Sequence, residues 1–264
     1  MTYDPAPAAA ALHAARLARL PAGPLRANIV PTTIPEGIAV QVALATRMGA
    51  MPPGGFKIGA TAKRMQDYLG LPGPAAGFMQ ATNLHPAPAS LAWSSFRGVG
   101  VECEIAVRLA HDLPPGPCTR AQAAAATADL MAAIEIVENR YGPPPAGDLK
   151  ALGTPTLIAD QVYHAAAILA APPADWRSLD LEAIPGRILV NTEERANGHG
   201  RDLLGHPLDA LAWLANTPEA AAYGGLKAGQ VIMLGSVTPP IWLDSPCTIT
   251  VDFQGMPKAT VTFV

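Results

Sequence analysis

Two glutamates separated by one residue in an otherwise apolar run are the first feature of this 264-residue chain that could do chemistry. The segment Gly100-Val101-Glu102-Cys103-Glu104-Ile105-Ala106-Val107-Arg108 alternates with the period of a β-strand, whose successive side chains point to opposite faces. Val101, Cys103, Ile105 and Val107 make a core face. Glu102, Glu104, Ala106 and Arg108 fall on the other, which sets two carboxylates about 7 Å apart along the strand. Like charges that close repel unless solvent, an Arg or Lys, or a divalent cation neutralises them. Oxygen ligands suit Mg²⁺, Mn²⁺ or Ca²⁺ and disfavour soft metals. A solvated strand face is the alternative, and spacing alone does not decide between them.

A second acidic strand adds weight to the cation. In Ala132-Ala133-Ile134-Glu135-Ile136-Val137-Glu138, Glu135 stands inside an apolar run, where a lone carboxylate is costly unless paired or coordinated. Glu138 falls on the opposite face, near the strand end, where solvent or a salt bridge can satisfy it. Lys57 is likewise enclosed, in Gly54-Gly55-Phe56-Lys57-Ile58-Gly59. It can be a buried ion-pair partner, or a lysine of lowered pKa that exchanges a proton near neutral pH.

The elements that must position these groups are legible in outline. Helices are expected over 5–20 and 33–49, the second opened by a Thr33-Ile34-Pro35-Glu36 capping box. A glycine-bounded strand runs from 54 to Thr61, which then caps a helix ending near Gly70. A loop is expected over 71–99, the acidic strand over 101–107, and an alanine-rich helix after Thr119-x-x-Gln122. A strand follows over 132–137, then a proline-rich loop over 142–155. The second half reads as strands at 157–169, 186–191, 230–235, 247–253 and 258–263, the last two a hairpin around Gln254-Gly255-Met256, with a helix near 207–216. We expect one domain over 1–264, with a helical part at 1–50 and a β-rich core at 51–264.

Half of the residues are hydrophobic and the net charge is −3, which fits a globular chain able to build a large core. No run of five like charges occurs, so nothing points to nucleic acid or an anionic membrane surface. The cysteines, Cys103, Cys118 and Cys247, are scattered and odd in number, as expected of reduced thiols in the cytoplasm. The N-terminal stretch is interrupted by Asp4, Pro5, Pro7, His13, Arg16 and Arg19 and reads as a helix rather than a signal peptide. No apolar stretch reaches membrane-spanning length.

Several of these segments together resemble the 2-keto-4-pentenoate hydratase / 4-oxalocrotonate decarboxylase family of the fumarylacetoacetate hydrolase superfamily. Phe56-Lys57-Ile58-Gly59-Ala60-Thr61 with Gln66 is similar to the family's lysine signature, Val101 to Ala106 to its Glu-x-Glu strand, and Ile134-Glu135-Ile136-Val137-Glu138-Asn139-Arg140 to its third-carboxylate segment. Gly205-His206-Pro207-Leu208 and Gly225-Leu226-Lys227-Ala228-Gly229 resemble later segments. The resemblance implies an α+β fold with a mixed β-roll or barrel-like core and surrounding helices. It implies Mg²⁺ or Mn²⁺ on Glu102, Glu104 and Glu135, a small 2-oxo acid chelated by that metal, and a homo-oligomer.

That chemistry is coherent. Chelation of a 2-oxo acid through its carboxylate and ketone oxygens stabilises an enolate by Lewis-acid polarisation, and Lys57 can move a proton along the carbon chain or activate water. Hydration of a 2-hydroxydienoic acid and decarboxylation share this centre. The resemblance makes Thr238 a substrate-facing threonine, though a strand-end turn explains it equally. Arg140 can hold a substrate carboxylate or pair with a strand glutamate. Three departures fall where substrate and water are handled. The family's acid is absent from Pro74-Ala75-Ala76-Gly77, Ala159-Asp160 leads into Gln161-Val162-Tyr163-His164, and Thr238 is followed by Pro239. His164 can replace a lost acid–base group or be a structural strand residue, and Tyr163 and His85 are open in the same way. A hydratase-like lyase is the first expectation. The alternatives are a 4-oxalocrotonate-type decarboxylase, an acylpyruvate C–C hydrolase and a catalytically silent member, the last suggested by Ala75.

Overall fold

The computed structural model describes residues 3–142 and 149–264. Pro143-Pro144-Pro145, part of an expected loop, lies outside them. The two acidic strands are its longest, β5 (Val99–Leu109) and β6 (Thr127–Glu138). They pair antiparallel with Glu102 directly opposite Glu135. Around them β1 (Gly55–Gly59), β2 (Ala75–Met79), β3 (Leu84–Pro86), β7 (His164–Leu169) and β10 (Val231–Ser236) complete a mixed sheet in the order β2-β1-β10-β5-β6-β7-β3, with β11 (Ile241–Trp242) on β5. This sheet curls into a half-barrel, as the barrel-like α+β expectation required.

Its two faces differ. On the outer face Val101, Cys103, Ile105 and Val107 share one core with Ile249, Val251, Phe253 and Val261 of a second sheet. That sheet comprises β4 (Ala89–Leu91), β8 (Pro185–Val190), β9 (Glu193–His199), β12 (Thr248–Phe253) and β13 (Ala259–Phe263), in the order β4-β13-β12-β8-β9. The inner face has its own smaller apolar cluster, which includes Met79, Ala106, Met131, Ala133, Ala167 and Met233. By strand alternation it also carries Glu102, Glu104 and Glu135.

Helices flank the sheets. The capping boxes at Thr33/Glu36 and Thr119/Gln122 form and open α2 (Ile34–Arg47) and α4 (Arg120–Ala126). The N-terminal α1 (Ala6–Ala18) buries Ala8, Ala9 and Leu12. Among the described residues no helix is long and apolar enough to cross a membrane.

Other expectations need correction. Thr61 does not cap α3 (Lys63–Leu69), because Ala62 occupies that position and no side chain bonds the first turn. The expected loop over 71–99 contains β2, β3 and β4. β2 opens on the small residues Ala75, Ala76 and Gly77, of low strand propensity, and a Cβ on Gly77 would press within 3.0 Å of the Gln161 carbonyl oxygen. Within the described part of the expected loop over 142–155 lie α5 (Leu149–Leu152) and the start of α6 (Thr154–Ala159), and the expected strand over 157–169 is the end of α6, a turn and then β7. A short apolar run does not distinguish a buried helix from a strand, and Pro155 sits in the first helical turn. The polar β9 and the short α8 (Pro218–Ala222) carry little apolar periodicity to mark them in the sequence.

Between α6 and β7 the chain makes a tight turn in which Gln161, Val162 and Tyr163 all have positive φ (64°, 47° and 68°). Such angles are costly for a non-glycine residue, most of all for β-branched valine, and persist only where surrounding contacts over-determine them. Asp160 supplies those contacts. Its buried carboxylate accepts from Arg16 Nε (2.9 Å), Arg140 Nε (2.9 Å) and the Tyr141 hydroxyl (3.0 Å). Arg140 also donates to the carbonyls of Asp160 (2.7 Å) and His164 (2.9 Å). Burial works against ionisation of Asp160, but Arg140 and then Arg16 outweigh it and hold the carboxyl below its ordinary range. A carboxyl depressed on folding stabilises the protein above about pH 4 and loses that contribution as pH falls through the folded value. Asp160→Asn leaves two guanidiniums without their buried counter-ion and is expected to cost about 3 kcal/mol at pH 7. Urea unfolding checks this. The gap between variant and wild type should narrow on acidification, and equal midpoints at pH 7 would show that Asp160 does not brace the turn.

Candidate metal centre and its cavity

Glu102, Glu104 and Glu135 each offer a carboxylate oxygen within 4.8 Å of the other two. Glu104 and Glu135 are fully buried, and Glu102 is half-buried. The two buried residues share one arrangement. Glu104 Oε2 accepts from the Gly235 N–H at 3.0 Å, while its Oε1 has no partner. Glu135 Oε1 accepts from His164 Nδ1 at 2.8 Å and lies 3.4 Å from Lys57 Nζ, while its Oε2 has no partner. Each carboxylate is therefore held by one oxygen and left bare at the other. A bare buried carboxylate oxygen is expensive, and bare oxygens from neighbouring strands fit a hard divalent cation, whose oxygen ligands lie at about 2.0–2.6 Å. Second contacts of this kind orient metal ligands.

The three carboxylates do not ionise together on their own. Burial first, then the Glu135 charge, pushes Glu102 up to about 8 despite Lys57. Burial, then Glu135 and Glu102, holds Glu104 well above the ordinary carboxylate range. Burial also opposes ionisation of Glu135, but Lys57 and His164 outweigh it and bring that carboxyl to about 2. On its own the cluster thus carries its negative charge on Glu135, next to one fixed cation, Lys57. A divalent ion would favour ionisation of the other two.

Lys57 is 1% exposed. Besides facing Glu135, its ammonium donates to the Val162 carbonyl at 2.7 Å, so the strained turn described above aims the lysine. On its other side, Gly59 leaves room for the ammonium, where a Cβ would approach within 3.0 Å.

A cavity of about 760 Å³ opens beside Glu102 and is lined by Ile58, Thr61, Tyr68, Ser236 and Thr238, among others. Thr238 is nearly buried, and its N–H donates to Ser236 Oγ at 3.2 Å. Ala75 is buried in β2 opposite Gly59 and brings no acid to this region. His164 and Arg140 line a different cavity, together with His85. His164 meets the carboxylate cluster through Glu135, whereas Arg140 donates to Asp160 and to backbone carbonyls and pairs with the strand glutamate Glu138 at 3.6 Å. Sequence reasoning missed the Gly235 N–H and the Val162 carbonyl. A glycine at a strand end was the available signal for Gly235. Its φ is +104°, and a Cβ there would lie 2.5 Å from the Thr61 methyl, so only glycine turns that N–H toward Glu104. No side-chain signal marks Val162, because its backbone makes the contact.

Residues 58–264 match the family model for fumarylacetoacetate (FAA) hydrolase, C-terminal. The chain is 30% identical over 209 residues to a 2-keto-4-pentenoate hydratase of Paraburkholderia phymatum, covering 79% of this chain and 77% of that protein. It is 32% identical over 215 residues to a 2-hydroxyhexa-2,4-dienoate hydratase of Comamonas testosteroni, covering 79% and 77%. Its fold superposes on 4-oxalocrotonate decarboxylase from Pseudomonas putida G7, complexed with magnesium and adipate, with a TM-score of 0.87 at 24% identity over 98% of this chain and 97% of that one. With an acidic half-barrel and a match over most of its length, the chain belongs to the fumarylacetoacetate hydrolase C-terminal family and to its hydratase/decarboxylase branch.

Proposed function

We propose that this protein is a divalent-metal-dependent lyase acting on a small 2-oxo or 2-hydroxydienoic acid, with a 2-keto-4-pentenoate hydratase-like reaction. The observation that carries this reading is the pair of buried glutamates, each anchored through one oxygen and bare at the other, beside Lys57. Glu102, Glu104 and Glu135 are the proposed ligands, with Mg²⁺ or Mn²⁺ as the cation. When bound, such an ion supplies Lewis-acid polarisation of a chelated 2-oxo group.

The chain's own residues do the rest. Lys57 is the acid–base group, since its ammonium is buried, oriented by Val162 and paired with Glu135, and can pass a proton to and from the carbon chain. Thr238 and Ser236 offer hydroxyls to a substrate in the 760 Å³ cavity. His164 and Arg140 were expected in acid–base and substrate-binding roles. We assign them positioning roles instead, His164 on Glu135 and Arg140 on the 160–164 turn. Decarboxylation is the second reading, favoured by Ala75, because hydration needs a group to handle water and β2 supplies no acid. The same reading takes residues 1–264 as one domain, with Leu12, Leu44 and Phe253 in one continuous core, and places the protein in the cytoplasm.

Two variants separate metal binding from proton transfer. Glu104→Gln should weaken Mn²⁺ binding, read by calorimetry, by about 10–100-fold and reduce turnover in parallel. Lys57→Met should lower turnover by roughly 10²–10⁴ while changing Mn²⁺ affinity only a few-fold. Full turnover in Glu104→Gln rules out the metal mechanism.

Product identity tests the reaction. With Mg²⁺ or Mn²⁺ and 2-hydroxypenta-2,4-dienoate, NMR should show the hydrated 4-hydroxy-2-oxo acid. Carbon dioxide from 4-oxalocrotonate without hydration would move the assignment to decarboxylase, and pyruvate from an acylpyruvate would move it to hydrolase. Absence of deuterium exchange into any 2-oxo acid would indicate a silent member.

Self-association belongs to the same reading, supported by the family resemblance and by exposed Leu17, Leu20, Tyr68 and Trp242. Sedimentation should give a multiple of 27.3 kDa, and a monomer would remove it.

A further inference from the structure

The apolar stripe of α1 ends on a charge. Ala8, Leu12 and Arg16 recur at every fourth position and so lie on one face of the helix. Ala8 and Leu12, with Ala9, pack into the core that holds Val40, Leu44 and Ala45 of α2. Arg16 continues that face, and its side chain is only 15% exposed. An apolar residue at this position would dock the helix as well and would avoid the cost of desolvating a guanidinium.

Arg16 grips Asp160 at two points. Its Nε donates to the carboxylate at 2.9 Å, and a terminal amino group donates to the backbone carbonyl at 3.2 Å. Charge balance does not ask for this, because Arg140 already pairs with the same carboxylate and two guanidiniums held close together repel. What the second guanidinium adds is geometry. Asp160 immediately precedes the three left-handed residues of the turn. Arg16 ties both its side chain and its backbone to a helix 144 positions away in sequence. Two residues beyond Asp160, the Val162 carbonyl accepts from Lys57 Nζ.

We propose that Arg16 is a positioning residue for Lys57: α1, docked by its apolar stripe, clamps Asp160 and thereby holds the turn whose Val162 carbonyl orients the lysine. The assignment rests on Lys57 as the acid–base group proposed above. It makes α1, which precedes the segment matched by the family model, a condition of turnover as well as a part of the core.

The test compares variants of α1 in the whole protein, assayed with Mn²⁺ and 2-hydroxypenta-2,4-dienoate. Leu12→Ala removes docking contacts and leaves the clamp, whereas Arg16→Ala removes the clamp. Both should lower the urea midpoint. Arg16→Ala should lower kcat about 10²-fold, with KM and Mn²⁺ affinity within about twofold of wild type. Leu12→Ala should keep kcat within about twofold. Arg16→Lys, which keeps the charge but not the two-point grip, should lose roughly tenfold in kcat. The amides of Val162 and His164 bond the Leu157 and Gln161 carbonyls, and their hydrogen exchange should run about tenfold faster in Arg16→Ala than in Leu12→Ala. Equal kcat losses in Arg16→Ala and Leu12→Ala, or full kcat in Arg16→Lys, overturn the positioning role. Equal amide exchange in the two alanine variants overturns it without recourse to turnover. If Lys57→Met loses turnover while Arg16→Ala keeps it, the Arg16 assignment alone falls, and if Lys57→Met keeps turnover the acid–base reading falls with it.

Discussion

Everything near the centre of this protein follows from one electrostatic problem, three carboxylates on the buried face of a sheet. Cross-strand register puts Glu102 opposite Glu135, and like charges directly opposite each other destabilise a pair of strands. The fold does not relieve this by solvating the face. It holds one oxygen of each buried glutamate with a fixed donor, brings a single ammonium alongside and leaves the remaining oxygens bare. A sheet built for stability alone would not keep those groups. That unrelieved strain is what supports the proposal of a cation at this site.

How each donor reaches its glutamate explains much of the surrounding irregularity. β10 breaks register between Met233 and Ser236, and this bulge turns the Gly235 N–H inward. The 160–164 turn carries three consecutive left-handed residues, and its reward is a carbonyl on Lys57 and an imidazole on Glu135. Asp160 and its two arginines stiffen that turn from behind. The irregular backbone is thus concentrated where regular strands could not have delivered an N–H or a carbonyl to the acidic face.

Sequence legibility followed the same division. Alternation over 101–107 located β5 and assigned Glu102 and Glu104 to one face, because the apolar and acidic positions there differ sharply. An isolated acid in an apolar run located β6, and capping boxes located α2 and α4. β2 escaped because it opens on Ala75, Ala76 and Gly77, which have low strand propensity, and Gly77 is packed against the Gln161 backbone. The stretch 157–169 misled because an apolar run bent by Asp160-centred contacts reads locally as one strand. At the site, side chains were legible and backbone donors were not. Lys57 could be suspected from its glycine-bounded setting, whereas Val162 carries no mark of its contribution. His164 and Arg140 were legible as polar residues close to the site, but only tertiary structure showed that their contacts face Glu135 and Asp160.

The anchoring contacts also bear on how the protein is made. Lys57 to Val162 spans 105 residues, Glu104 to Gly235 spans 131 and Arg16 to Asp160 spans 144. Contacts closed over such distances form late and slow the search for the native state. The β5–β6 pair alone sets Glu102 opposite Glu135, but the backbone groups that fix Glu104 and Lys57 come from segments 131 and 105 residues away. The proposed cation site is therefore assembled by the finished fold and not by any one local segment of it.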